Sequence, residues 1–122
     1  MRFDKFTLKS QELVQEAHDL TSKHSHQQIE PAHFLYVMLN DADSIAASIL
    51  RKIGVSPDDI NREVLKSIES LPKVQGAVGD ASLSNNSRKM LEKAFTEASN
   101  MKDQYVSVEH IFLAISRNRP AC

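Results

Sequence analysis

The sequence has very few of the residues on which several classes of protein depend. Its 122 residues include no tryptophan, three glycines and one cysteine, Cys122, at the last position. A single cysteine excludes a disulfide framework within the chain and fits a reducing compartment. Three glycines could hardly supply a phosphate-binding loop, and the pattern G-x-x-x-x-G-K-[ST] is absent. We therefore expect neither a disulfide-stabilised protein nor ATP hydrolysis by this chain.

Long apolar runs and an excess of one charge are also missing. No segment approaches the roughly 20 apolar residues that span a bilayer. The first residues, MRFDKFTLKSQ, contain no apolar stretch of signal-peptide length. Fifteen Lys and Arg against 16 Asp and Glu leave a formal net charge of −1, whereas nucleic-acid binding needs a basic surface. The composition predicts a cytoplasmic protein whose partners include neither a membrane nor nucleic acid.

Helical periodicity is the main signal that the sequence does carry. Hydrophobic residues make up 41% and charged residues 25%, as in an ordinary globular domain. Thr7 is predicted to cap a first helix that runs to about Lys23. Pro31 is predicted to lie in the first turn of a second helix, whose apolar residues 34–39 should be buried. The first helix carries one apolar stripe with spacings of three and four, formed by Leu13, Val14, Ala17 and Thr21.

Two further helices and a linker follow. A third helix should begin near Asp43 or Ser44 and end at Gly54, which is free to adopt a positive φ. A fourth should begin at the Ser56-Pro57 cap, with Ile60, Val64 and Ile68 facing inward. In residues 71–83, Pro72, Gly76 and Gly79 disfavour both helix and strand, and strand signals are absent elsewhere. The inward residues predicted for the third helix are Ile45, Ile49, Leu50 and Ile53.

An internal repeat organises these helices. When the sequence is shifted so that Thr7 falls on Ser84, it aligns with itself without a gap, and His33 falls on His110. We call this pairing of positions the repeat alignment. Apolar positions agree as well, including Leu13 with Met90, Val14 with Leu91, Ile29 with Val106 and Phe34 with Ile111. The predicted fold is all-α, a pseudo-twofold pair of helical repeats that share one core, with a binding groove between them. Repeat one covers about residues 1–70, the linker about 71–83, and repeat two about 84–122.

The second repeat is expected to be incomplete. Repeat one continues with two helices after Leu39, whereas the sequence ends soon after Ser116. The apolar helix around residues 111–115 would then lack the cover that its counterpart receives in repeat one. We expect this chain to self-associate more than a longer one would, because exposed apolar side chains associate in water.

Four motifs give the sequence a family resemblance. MRFDKFT, IEPAHFL, LPKVQG and MKDQYVSVEHIFLAI together resemble the N-terminal domain of bacterial ClpB-type disaggregases, over essentially the whole chain. The last motif is the most specific, and LPKVQG separates this family from its sister Clp families. The resemblance implies a non-catalytic module of a homohexameric AAA+ chaperone of the stress response. That chaperone would thread unfolded or aggregated protein and cooperate with other chaperones. ATP and magnesium would belong to motor domains absent from this chain, which itself needs no cofactor.

The same resemblance implies a set of substrate-binding residues. Thr7, Asp103 and Glu109 would form the polar rim of the groove. Each also suits a structural role, as a helix cap, a loop acid and a first-turn acid respectively, and both readings stay open. The apolar candidates, for which a place in the core is the stronger alternative, are Leu91, Tyr105, Val106 and Ile111.

Other functions compete with substrate capture. His24 and His26 form an H-x-H pair, but no second ligand pair has suitable spacing, so solvated loop histidines are expected rather than a metal site. No G-x-S-x-G elbow occurs and Cys122 is terminal, which disfavours a hydrolase. Two non-catalytic alternatives remain: a docking site for adaptors of a protease-associated unfoldase, and a structural domain that gates the ring.

Overall fold

The computed structural model describes residues 3–74 and 81–117, and in these residues the chain is mostly helical. A 3-10 turn spans Phe3–Lys5, and two short strands are β1 (Gln28–Ile29) and β2 (Ser82–Leu83). The helices are α1 (Leu8–Lys23), α2 (Pro31–Asn40), α3 (Ile45–Lys52), α4 (Pro57–Glu69), α5 (Asn85–Asn100) and α6 (Val108–Arg117). The prediction of an all-α, repeated helical fold is confirmed. Gly76, Gly79 and Cys122 lie outside the described residues.

Side-chain caps determine where most helices begin. The hydroxyl oxygens of Thr7, Ser44, Ser56 and Ser84 each accept a hydrogen bond from a backbone N–H three residues further on. These bonds satisfy donors that the first helical turn would otherwise leave unpaired. Gly54 ends the α3 region with φ +82°, as its position predicted. The local signals therefore locate these helix ends correctly.

The predicted inward face of α3 is partly wrong. Ile45 is 41% exposed and Ile53 is 66% exposed, whereas Ala46 and Ala47 are buried. The two alanines take the inward positions at the start of α3, and Ile45 lies outside them. Ile53 comes after the last residue of α3, so the helical periodicity no longer determines which way its side chain faces.

The prediction that strands are absent is also wrong, because β1 and β2 form a short parallel pair with Ile29 opposite Leu83. A second parallel bridge joins Phe6 to Val106. Under the repeat alignment, each bridge is the counterpart of the other. In both, the residue two positions before the second helix of one repeat pairs with the residue before the first cap of the other repeat.

The two repeats therefore hold each other through matched backbone bonds. Thr7 donates its N–H to the Val106 carbonyl at 3.0 Å, and Ser84 donates its N–H to the Ile29 carbonyl at 3.1 Å. Between these bonds lies a shared core that draws on both repeats, including Phe34, Met90, Leu91 and Ile111, all fully buried. This reciprocal pairing creates the pseudo-twofold relation between the repeats.

His33 and His110 make the same structural bond in their respective repeats. His33 Nδ1 accepts the Glu30 N–H at 2.8 Å, and His110 Nδ1 accepts the Ser107 N–H, also at 2.8 Å. Both rings are buried. Each histidine thus pairs a backbone donor at the start of the second helix of its repeat.

A second histidine completes the arrangement in repeat one. His26, expected to be solvated, is instead buried, and its Nδ1 lies 3.0 Å from Nε2 of His33. Because His33 Nδ1 is an acceptor, its Nε2 carries the proton and donates it to His26. Neutral His26 then has its own proton on Nε2, which has no hydrogen-bond partner among residues 3–74 and 81–117. Burial, and then the neighbouring His26, lower the pKa of His33 to about 4.

This buried pair predicts a loss of stability in mild acid. The pKa of His33 in the folded protein, about 4, lies below its unfolded value of about 6.5. Protonation therefore favours the unfolded chain, and stability that is complete above pH 6.5 is lost as the pH falls toward 4. We expect the free energy of unfolding to drop by roughly 1–3 kcal/mol over this range, measured by urea denaturation.

The variant His26→Asp provides the matched comparison. It places a carboxylate beside His33, as Asp103 lies beside His110 in repeat two, and a carboxylate stabilises the imidazolium. The loss between pH 6.5 and 5 should therefore shrink, and an NMR titration should show a higher pKa for His33. An identical pH dependence in both proteins would contradict the assignment of the acid sensitivity to this pair.

Candidate functional site

The start of α1 and the loop before α6 form one end of the molecule, where several predicted site residues meet. We call this end the Thr7–Glu109 surface, and it consists of Thr7, Leu8, Asp103, Tyr105, Ser107 and Glu109. Its frame is backbone: besides the bond from Thr7 to the Val106 carbonyl, the Val106 N–H donates to the Lys5 carbonyl at 2.8 Å. The loop and the first turn of α1 are therefore held side by side.

The loop itself, residues 101–107, begins with a sharp reversal at the end of α5. Lys102 has φ +60°, which is unusual for a residue with a side chain. The next residue, Asp103, donates its N–H back to the Ala98 carbonyl at 2.8 Å. This bond satisfies one of the last carbonyls of α5 and directs the following residues back toward α1.

A line of hydrogen bonds connects the two acids of the surface. His110 Nδ1 accepts the Ser107 N–H, so its Nε2 is the protonated nitrogen and donates to Asp103 Oδ2 at 2.8 Å. The Ser107 hydroxyl donates to Glu109 Oε1 at 2.9 Å. Asp103 and Glu109 are thus fixed through a buried histidine and a serine, while both acids remain exposed to solvent.

Thr7 contributes to the surface mainly as a structural residue. Its Oγ1 accepts the Ser10 N–H at 3.1 Å and donates to the Ser10 hydroxyl at 3.0 Å. Both bonds are internal, so the hydroxyl proton is already in use. Thr7 therefore positions the start of α1 beside the loop, close to the backbone that carries the two acids.

The predicted apolar residues divide into core and surface. Leu91, Val106 and Ile111 are fully buried, because they face inward on α5, on the bridge to Phe6 and on α6. They cannot contact a ligand at the surface in this conformation. Tyr105, in contrast, is 50% exposed.

Leu8 is the residue that the sequence analysis missed. It is 77% exposed at the first position of α1, next to Thr7. The signal was present, because Leu8 lies outside the stripe formed by Leu13, Ala17 and Thr21. A large apolar residue off the buried stripe of an amphipathic helix must face solvent or a partner. Leu8 and Tyr105 are thus the exposed apolar members of the surface.

These features suit binding better than catalysis. Two fixed carboxylates can accept hydrogen bonds, and two exposed apolar side chains can bury area against a partner. Within residues 3–74 and 81–117, no group of three or more His, Cys, Asp or Glu side chains could hold a metal ion. Over the same residues, no helix has both the length and the apolar character needed to cross a membrane.

Comparison with known sequences identifies the family. The family described as "Clp repeat (R) N-terminal domain" matches residues 5–121. The chaperone protein ClpB of Bacteroides thetaiotaomicron is 43% identical over 115 residues, which cover 94% of this chain and 13% of that protein. ClpB of Porphyromonas gingivalis is 40% identical over 119 residues, covering 98% of this chain and 14% of that protein. The chain therefore spans about one seventh of the length of these relatives, and the resemblance predicted from its motifs is confirmed.

Comparison with solved structures supports the same fold. The Hsp104 N-terminal domain from Candida albicans superimposes with a TM-score of 0.85 at 22% identity, covering 93% of this chain and 75% of that one. The N-domain of ClpV from Vibrio cholerae gives a TM-score of 0.80 at 19% identity, covering 92% of this chain and 66% of that one. At these identities the likeness establishes the architecture alone. By its sequence over residues 5–121 and by its repeated helical fold, the chain belongs to the Clp repeat N-terminal domain family.

Proposed function

We propose that this domain captures unfolded or aggregated protein at the Thr7–Glu109 surface and passes it to an ATP-dependent AAA+ motor in the full-length protein. The observation that carries the proposal is the exposure of Leu8 and Tyr105 beside two fixed acids. The ClpB relatives, which are named as chaperones, support the same role. The full-length protein would be a cytoplasmic homohexamer that works with other chaperones, and the domain itself would use no cofactor.

The surface offers complementary groups for an unfolded chain. Unfolded protein exposes apolar side chains, which can pack against Leu8 and Tyr105 and so leave water. It also presents backbone N–H groups without partners, and the carboxylates of Asp103 and Glu109 can accept them. Neither contact requires a particular sequence. A site of this kind is therefore suited to a broad range of substrates bound weakly.

A second candidate function is the docking of a specific partner peptide. One similar structure, with a TM-score of 0.79 at 20% identity, is a complex of the ClpV N-domain with a VipB peptide. This observation favours an adaptor-type site on a related fold. A purely structural role in gating the ring is the third possibility. Co-purification with a folded adaptor would favour docking, whereas absence of any peptide binding would favour gating.

We predict weak binding that depends little on salt. The exposed apolar area is small, and ordering a flexible ligand offsets much of the gain from burying it. The dissociation constant for an unfolded model protein should be on the order of tens to hundreds of micromolar, or about 5–6 kcal/mol. An amide NMR titration would measure it. Binding that disappeared by roughly 0.3 M salt would point to a charge-driven contact and against this proposal.

Substitutions at the apolar pair should weaken binding without affecting the fold. Leu8→Ser and Tyr105→Ser each remove a side chain that is already exposed, so stability should change by less than about 0.5 kcal/mol. Each should raise the dissociation constant for the unfolded protein by about fivefold, since roughly 1 kcal/mol of apolar burial is lost. Ile53→Ser is the matched control, because Ile53 is equally apolar and 66% exposed but lies outside the surface. If Ile53→Ser lowered the affinity as much, the binding could not be assigned to the Thr7–Glu109 surface.

The domain should neither bind nor hydrolyse ATP. The sequence contains no phosphate-binding loop, and its three glycines leave little scope for another. Calorimetry of the chain with ATP and magnesium should show no saturable heat. A stoichiometric site of micromolar affinity would contradict the assignment of nucleotide chemistry to other domains.

A further inference from the structure

The loop that carries Asp103 and Tyr105 exists twice in this molecule. Ser25, at φ +59°, is the repeat counterpart of Lys102, at φ +60°. His26 donates its N–H to the Thr21 carbonyl at 3.0 Å, as Asp103 donates to the Ala98 carbonyl. Residues 24–30 of repeat one therefore have the same backbone course as residues 101–107 of repeat two. What the first loop binds therefore indicates what kind of segment the second loop can bind.

In repeat one this loop carries a segment of the protein's own linker. Val74 donates its backbone N–H to the carbonyl oxygen of Ser25 at 2.9 Å. Residues 72–74 have no helix or strand conformation, and Pro72 cannot donate a backbone hydrogen bond. Segment and loop enclose a pocket of about 210 Å³, lined by His26, Gln27, Gln28 and Glu30 of the loop and by Leu71, Pro72 and Val74 of the segment.

In repeat two, residues 101–105 of the corresponding loop are exposed. The four loop residues that line the pocket correspond to Asp103, Gln104, Tyr105 and Ser107 under the repeat alignment. Three of them belong to the Thr7–Glu109 surface. Tyr105 replaces Gln28, which makes this loop more apolar, and its side chain is half exposed. The Lys102 carbonyl, the counterpart of the Ser25 acceptor, receives no backbone hydrogen bond from residues 3–74 and 81–117 outside the helices and strands.

We infer that the Thr7–Glu109 surface binds a non-helical segment of unfolded protein in the way that residues 24–30 hold residues 71–74. An apolar residue of the ligand donates its backbone N–H to the Lys102 carbonyl and packs toward Tyr105. This inference rests on the proposed function and specifies its substrate class. The ligand is an irregular segment with a free backbone donor at an apolar position, rather than an amphipathic helix, whose interior N–H groups are already bonded.

Charge adds a preference for a basic residue just before that apolar position. In repeat one, Lys73 precedes Val74, whose N–H is bonded to the carbonyl of Ser25, the residue before His26. The counterpart of His26 is Asp103, so a lysine held in the same way would meet a carboxylate. The exposed Lys102 opposes this attraction, while Glu109 adds to it. An exposed pair contributes little, so we expect a preference of about two- to threefold.

The test uses blocked peptides with the sequence of residues 70–74, Ser-Leu-Pro-Lys-Val, and this chain labelled with ¹⁵N. The unmodified peptide should shift the amides of residues 102–107 and bind weakly. N-methylation of the valine removes the proposed donor and should weaken binding about fivefold, which corresponds to one hydrogen bond. N-methylation of the lysine is the control and should change the affinity much less, because the Lys73 N–H makes no bond to the loop in repeat one.

A charge cycle completes the test. Replacing lysine by glutamine in the peptide should raise the dissociation constant two- to threefold with the unchanged protein. With the Asp103→Asn variant the same replacement should leave the dissociation constant unchanged. The inference would be overturned if the valine N-methylated peptide bound as tightly as the unmodified peptide. It would also be overturned if the peptide shifted only the amides of residues 24–30, because that would indicate displacement of the linker. If an unfolded model protein still shifted the amides of the Thr7–Glu109 surface, the proposed function would stand without this binding mode. If neither the peptide nor the unfolded protein shifted them, the binding mode and the proposed function would both fail.

Discussion

The reciprocal pairing of the two repeats is the constraint on which the rest of this structure depends. Two backbone bonds, from Thr7 to Val106 and from Ser84 to Ile29, connect the entry of each first helix to the entry of the other repeat's second helix. Both bonds have ordinary lengths, 3.0 and 3.1 Å, and the repeats that they join share one core. Together with the bond from the Val106 N–H to the Lys5 carbonyl, the first of these two bonds holds the loop before α6 beside the start of α1. The Thr7–Glu109 surface therefore depends on the way the repeats are joined.

Duplication has kept the backbone of the loops and changed their chemistry. Residues 26 and 103 occupy the same position, and each contacts the histidine seven residues later. In repeat one the contact is a buried pair of neutral imidazoles beneath the linker, and in repeat two it is an exposed carboxylate supported by a buried imidazole. The first arrangement favours the neutral form of both rings. The second presents a fixed negative charge to solvent, which suits recognition.

Sequence reasoning succeeded where the signal was local or repeated. Caps at Thr7 and Ser56 follow from side-chain chemistry within one turn, and the repeat alignment predicted the paired architecture. It failed where tertiary context decides. Such short strands carry no periodicity to detect, and His26 is buried in a loop whose Ser25 carbonyl accepts a bond from Val74, a residue distant in sequence. Groove residues and core residues are both apolar, so the sequence does not separate them. Only packing shows that three of the predicted groove residues belong to the core: Leu91, Val106 and Ile111.

The contact between Val74 and Ser25 has a consequence for the strength of the binding that we propose at the related loop. A segment tethered within the same chain experiences an effective concentration in the millimolar range, so a single hydrogen bond and a few apolar contacts can keep it in place. The same contacts made by a separate molecule face its actual, much lower concentration. In the proposed binding mode, one backbone arrangement would thus retain a tethered segment within the chain and release a separate molecule rapidly. The proposed transfer of substrate to a motor needs the second property.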